Sequence, residues 1–234
     1  MAELKFYCTI GVKAAVEASM PQIEQASGCR VAFAWGTAPM LVRRLQAGET
    51  ADLMVLNRAG LEAMTKEGRV VPGPQVKLAG SPVAIAVKAG AARPDISTPE
   101  ALKQTLLAAK SISYTDPAAG GASGVYFGKL LERLGIAREV NAKNTFPPAG
   151  GFSATLLLDG RAELAIQQTP ELLHVPGIEI LGPLPGDLNM VTVFVGGVAT
   201  GCADPAAATR ALAFLSSPEA AAVFRAKGLD PDAP

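Results

Sequence analysis

Short strands and helices alternate along nearly all of this chain, and that alternation limits the fold more than any other feature. It is sharpest from Lys110 to Leu131, KSISYTDPAAGGASGVYFGKLL. Ser111 to Thr115 alternates like a short strand and stops at Asp116-Pro117, a turn signal. A run of alanine, glycine and serine follows, and then Val125, Tyr126, Leu130 and Leu131 recur at helical spacing. A strand, a small-residue loop and a helix start together expose free backbone N–H groups at the positive end of a helix dipole, which suits an anion. An ordinary turn with Ser123 as N-cap accounts for the same residues. Three named motifs fail here. Gly120, Gly121 and Gly124 miss the dinucleotide spacing, and Gly128-Lys129 is followed by Leu130 inside the helix, which excludes a P-loop. Gly121-Ala122-Ser123-Gly124 lacks the spacer of a nucleophile elbow.

A chain of 234 residues makes one large α/β domain or two lobes of about 100 residues each. Lys plus Arg equals Asp plus Glu at 21 each, so no net field draws in nucleic acid or an anionic membrane. No apolar run is long enough to span a bilayer. Cys8, Cys29 and Cys202 are odd in number and lack metal spacing, which fits buried thiols in a reducing compartment. No metal and no cofactor is expected. Met-Ala-Glu-Leu-Lys enters a strand with no leader pattern, so the expected location is the cytoplasm, or the periplasm if a leader has been removed.

Taken in order, Leu4–Ile10 reads as a strand, Val12–Ala26 as one helix, and Arg30–Trp35 as a second strand closed by Gly36-Thr37-Ala38-Pro39. A short helix stops at Gly48, Asp52–Leu56 is a strand, and Asn57 caps a helix to about Lys66. Pro82–Lys88 is continuously apolar, as in a strand covered on both faces. Gly90–Pro99 reads as the first crossing between lobes, and Thr98–Lys110 as a helix with Pro99 in its first turn. After Gly135 come a Pro/Gly loop at Asn144–Gly151, a helix from Ser153 to about Leu158 and a strand at Leu164–Gln168. Thr169 is expected to cap the helix Pro170–Leu173. Ile178–Leu181 and Val191–Ala199 are strands, and helices at Asp204–Leu215 and Pro218–Lys227 finish the chain.

This order predicts an α/β protein of two lobes, 1–90 with 191–234 and 91–190, each a mostly parallel sheet flanked by helices, with a ligand cleft between lobes. Ligands of such sheets bind at the carboxyl ends of the strands. That rule selects Thr9–Gly11, Gly36–Ala38, Gly120–Gly124, Gly150–Ser153 and Gln167–Thr169. The expected ligand residues are Thr9, Ile10, Gly11, Gly36, Thr37, Ala38, Ala122, Ser123, Gly124, Phe152, Ser153 and Gln168. Only Asp116, slightly upstream, adds a carboxylate, so the lining suits a small anion. Lys13, in a first turn where the dipole opposes it, either meets a negative group or snorkels to water. Tyr126 either reaches the ligand or packs, and Trp35 either walls the cleft or joins the core. His174 reads as structural or exposed, and Arg43 and Arg44 as surface residues.

The order of elements also resembles a known family. Leu45-Gln46-Ala47-Gly48 before Ala51-Asp52-Leu53, Asp116-Pro117 before the small-residue loop, Leu158-Asp159-Gly160-Arg161-Ala162-Glu163-Leu164-Ala165 and Ser217-Pro218-Glu219-Ala220-Ala221 carry the likeness. It is to the type 2 periplasmic binding proteins, above all the molybdate-binding branch, from about Leu4 to Leu229. The resemblance implies a tetrahedral oxyanion held by serines and backbone amides of both lobes. Gly11 lies at the first serine position, Thr37 at the second, Ser123 near a third contact and Phe152 or Ser153 on a fourth. Gln168 replaces a tyrosine. The stretch Gln167–Leu173, with Val175-Pro176-Gly177 and Gly182-Pro183-Leu184-Pro185, looks more like a side branch that includes aconitate-isomerase-like enzymes.

Two functions follow. One is a solute receptor closing on a small anion, with hinges near Lys88–Arg93 and Leu188–Val191 and an ABC permease as partner if exported. The other is a cytoplasmic isomerase or tautomerase of a di- or tricarboxylate in the same cleft, with Lys13 and Tyr126 as candidate catalytic groups.

Overall fold

The computed structural model describes residues 2–73, 75–148 and 151–233. Gly150, expected in one of the ligand loops, lies outside them. Contacts divide the chain into two compact units, 1–81 with 192–234, and 82–191.

The first unit opens with β1 (Glu3–Thr9), α1 (Lys13–Ala18) and α2 (Met20–Ser27), followed by β2 (Arg30–Gly36). The single helix expected at Val12–Ala26 is two, broken at Ser19. Pro21 is the reason: it has no N–H to continue the ladder and is at home only in a first turn, which is where α2 places it. Next come α3 (Ala38–Gln46), β3 (Leu53–Asn57) and α4 (Arg58–Lys66). Asn57 caps α4 as expected, accepting from the Gly60 N–H at 2.9 Å. β4 (Val76–Lys88) is longer than its apolar stretch. The change of unit falls inside β4, at Ser81/Pro82, whereas the sequence places the crossing after it, at Gly90–Pro99. Val83, Ile85 and Val87 pack with the second unit's core, so burial keeps this part of the strand with that unit.

Within the first unit β1 pairs in parallel with β2 and with β3. β8 (Val191–Val198) joins β3 antiparallel, and α10 (Pro205–Leu215) and α11 (Pro218–Ala226), which follow it, close the first unit. Strand alternation sends Leu4, Phe6 and Cys8 to one face, where they meet Val16, Ile23, Leu212 and Phe224. Tyr7, Met54 and Leu56 join Leu41, Leu45, Leu61 and Met64 in a separate cluster.

The second unit contains the end of β4, then α5 (Pro99–Ala108), β5 (Ile112–Tyr114), α6 (Ala122–Arg133) and α7 (Ala137–Asn141). α8 (Thr155–Leu158), β6 (Leu164–Gln168), α9 (Thr169–Leu173) and β7 (Ile178–Pro183) complete it. β5 and β6 are parallel, whereas β6 and β7 both run antiparallel to β4. Phe127, Leu130 and Leu131 of α6 pack with Leu102, Leu106 and Val140, while Leu156, Leu157 and Leu172 cover Ala84 and Ala86. α7 has no counterpart in the sequence reading, because five residues are too short for a 3.6-residue period to show. α6 starts at Ala122 with Gly121 at the cap, so Ser123 is not an N-cap but lies inside the first turn. α9 starts at Thr169 with Gln168 at the cap, not Thr169. Glu171, three residues on, reaches back to the Gln168 N–H and sets that boundary.

Candidate functional site

Each unit assembles its own group of the expected residues at the ends of parallel strands. In the first unit the parallel register sets Thr9 beside Gly36, so both strands end side by side. Thr9 is buried and leads into a 3-10 turn, Ile10–Val12, with no hydroxyl bond to that turn. Gly11 lies buried in it. Gly36 leads into α3, where the Thr37 hydroxyl oxygen accepts from the Met40 N–H at 3.4 Å and Ala38 is buried. Lys13, which begins α1, pairs with Glu17 at 3.7 Å with both side chains about half exposed. Its ammonium lies 5.5 Å from the Trp35 ring centroid. Trp35 stacks on Phe33 at 4.7 Å and packs partly buried against the core. Arg44 pairs with the exposed Glu49 at 2.7 Å, and the Arg43 Nε donates to the Pro39 carbonyl.

In the second unit Tyr114 and Ile166 are partners in the parallel pair, so Thr115 and Gln167 follow at neighbouring strand ends. α6 begins directly against Thr115: a Cβ on Gly124 would overlap the Thr115 carbonyl oxygen, so only glycine allows this approach. That contact seats the first turn, with Ala122 and the buried Ser123, beside the end of β5. Ser153 is fully buried, and both its N–H and its hydroxyl donate to Gln167 Oε1, at 2.8 and 3.0 Å. Gln167 Nε2 reaches the Gly151 carbonyl at 3.5 Å. The Phe152 ring packs at a tilt against His174, the exposed residue after α9, with centroids 4.6 Å apart. The Tyr126 hydroxyl donates to the Leu188 carbonyl at 3.0 Å.

One functional group here escaped the sequence reading. Glu171 Oε2 accepts from the Gln168 N–H at 3.2 Å, and its carboxyl also bonds the Gln167 side chain. The residue is half-buried, but burial of the carboxyl pushes it up to about 7, against the opposing pull of those two donors. Its signal was the spacing Gln168-x-x-Glu171, a capping box with glutamine in the place of serine or threonine. Asp116, the carboxylate the sequence did mark, accepts from the Ala118 N–H at 2.9 Å. Among the described residues no three His, Cys, Asp or Glu side chains gather as a metal-holding set. No helix among them is long and apolar enough to cross a membrane.

The lining residues of both units thus supply hydroxyls and the first-turn amides of α3 and α6, with no formal charge. Comparison with known proteins places the chain by family and fold. The chain is 34% identical over 227 residues to an aconitate isomerase from a Pseudomonas species, covering 94% of this chain and 85% of that one. The periplasmic molybdate-binding protein of Azotobacter vinelandii superposes with a TM-score of 0.73 at 16% identity, over 97% of this chain and 98% of that one. The sulfate-binding protein of Mycobacterium tuberculosis does so with a TM-score of 0.75 at 16% identity, over 100% and 88%. Residues 4–230 match the pattern of the bacterial extracellular solute-binding proteins, and this chain belongs to that family.

Proposed function

We propose that this chain binds a small anion carrying carboxylate groups. The carrying observation is the makeup of the two strand-end groups. Thr9, Gly11, Thr37, Ser123 and the turns around them offer donors without a counter-charge. In this reading Ile10, Gly36, Ala38, Ala122, Gly124, Phe152, Ser153 and Gln168 complete the anion-binding surroundings of the unit each belongs to. As a transport receptor, the loaded chain would deliver its anion to an ABC permease.

A second reading is favoured by the likeness to an aconitate isomerase along almost the whole chain. Here the bound anion is an unsaturated tricarboxylate, and the site moves one of its protons. The sequence alone offers Lys13 and Tyr126 for this, but Lys13 pairs with Glu17 and the Tyr126 hydroxyl donates to the Leu188 carbonyl.

Thermal melting with molybdate, tungstate, sulfate, phosphate, citrate and cis- and trans-aconitate tests both. A ligand at 100 times its Kd adds about 2.7 kcal/mol, roughly 5–10 °C for a chain of this size. Tricarboxylates are expected to raise the melting point. A shift with the tetrahedral oxyanions alone would replace the carboxylate by an oxyanion as ligand, and no shift with any would end the anion reading.

A further inference from the structure

We propose that Glu171 is the acid–base group of this site, exchanging a proton with a carbon of a bound unsaturated tricarboxylate. The inference rests on the isomerase reading above. That reaction needs a group able both to take and to return a proton, and the uncharged lining lacks one. Glu171 lies in α9, directly after β6, with its carboxyl on the N–H of Gln168 and the side chain of Gln167. Gln167 in turn holds Ser153 by two hydrogen bonds. The carboxyl therefore belongs to the same bonded network as Gln167 and Gln168 at the end of β6 and Ser153 before α8.

Its surroundings explain why it can work in both directions. β6 and α8 carry no charged residue. On β4, Lys77 bonds the Ala233 carbonyl and Lys88 is exposed. On β7, Glu179 pairs with Arg93 at 2.8 Å. His174, after α9, packs against the Phe152 ring. Among the described residues no cation pairs with Glu171, and its proton affinity near neutrality suits a group that must act as base and then as acid. Tyr126, by contrast, has its hydroxyl on the Leu188 carbonyl.

The step balances without a co-reactant. A carboxylate oxygen forms an O–H bond as the methylene C–H breaks. The released electron pair spreads over the three-carbon system into its carboxylate, where hydroxyl and amide donors stabilise it. The pair then forms a C–H bond at the far carbon as the O–H breaks. The double bond has moved, and Glu171 ends as it began.

Glu171→Gln separates this role from the cap, because glutamine still offers an oxygen to the Gln168 N–H. The probe is trans-aconitate in D2O, followed by proton NMR for deuterium uptake and double-bond migration. The wild-type protein is expected to do both, with a rate that rises through about pH 7 as the base ionises. In Glu171→Gln both should fall roughly 100-fold or more, while trans-aconitate still raises the melting point. Glu171→Asp, a shorter acid, should retain part of the rate and covers the case in which the glutamine variant does not fold. Exchange in Glu171→Gln at the wild-type rate overturns the proposal, and so does a wild-type protein whose melting point shifts without exchange. A wild-type protein with no shift fails at binding, an outcome that ends the underlying reading as well.

Discussion

Glu171 carries a stability signature independent of any reaction. Its carboxyl rests at about 7 in the fold, against an ordinary value near 4.3, so the fold prefers the protonated form. Below the ordinary value both folded and unfolded chains hold the proton, and the contribution is fully present. As pH rises towards 7 the unfolded chain ionises first and stability falls, levelling off above the folded value. Denaturant unfolding should show Glu171→Gln losing this fall. The variant should match wild type at low pH and exceed it above neutrality, by roughly 3 kcal/mol at most. Equal pH slopes in the two proteins would show that the carboxyl is not enclosed. The residue was legible only as a spacing from Gln168. Nothing in that spacing reveals that the carboxyl loses water, because burial is a property of the packed fold.

At the scale of elements, the placement of α6 depends on one missing side chain. Gly124 brings the helix start against the Thr115 carbonyl, and a methyl group there has backbone, not a flexible side chain, in its way. Gly124→Ala should therefore push the helix off the end of β5 despite the better helix propensity of alanine. A loss of about 2–3 kcal/mol is expected from such overpacking, read from the urea midpoint, together with weaker anion binding. A gain in stability would mean that the helix start has room to spare. The glycine-rich loop marked this place in the sequence, but the placement of Ser123 inside the turn depended on the packing. The break between α1 and α2 belongs to the same scale, and there Pro21 was visible while its effect was underread.

For the whole molecule, the central prediction is that the strand-end hydroxyls of each unit contribute to anion binding. Thr9→Val keeps shape and removes a hydroxyl that makes no bond to its own turn, and Ser123→Ala does the same in α6, where the cap is Gly121. Each should weaken anion binding about tenfold, the size of one hydrogen bond to a charged partner. Melting points without ligand should change little. Calorimetric titration checks this, and a ligand sensitive to only one substitution would confine its binding to one unit.

Periodicity, caps and turn residues are local, so the sequence by itself determined the alternating α/β plan, strands such as Leu164–Gln168 and the Asn57 cap. The order of those elements carried the resemblance to the solute-binding family, which the match over residues 4–230 supports. Only the tertiary structure decided where the units divide inside β4, that Ser153 is held by Gln167, and that burial beside them raises the Glu171 carboxyl. Such features depend on which distant residues exclude water from a group or crowd its backbone. That information lies in the packing of several elements at once, and no single stretch of the chain contains it.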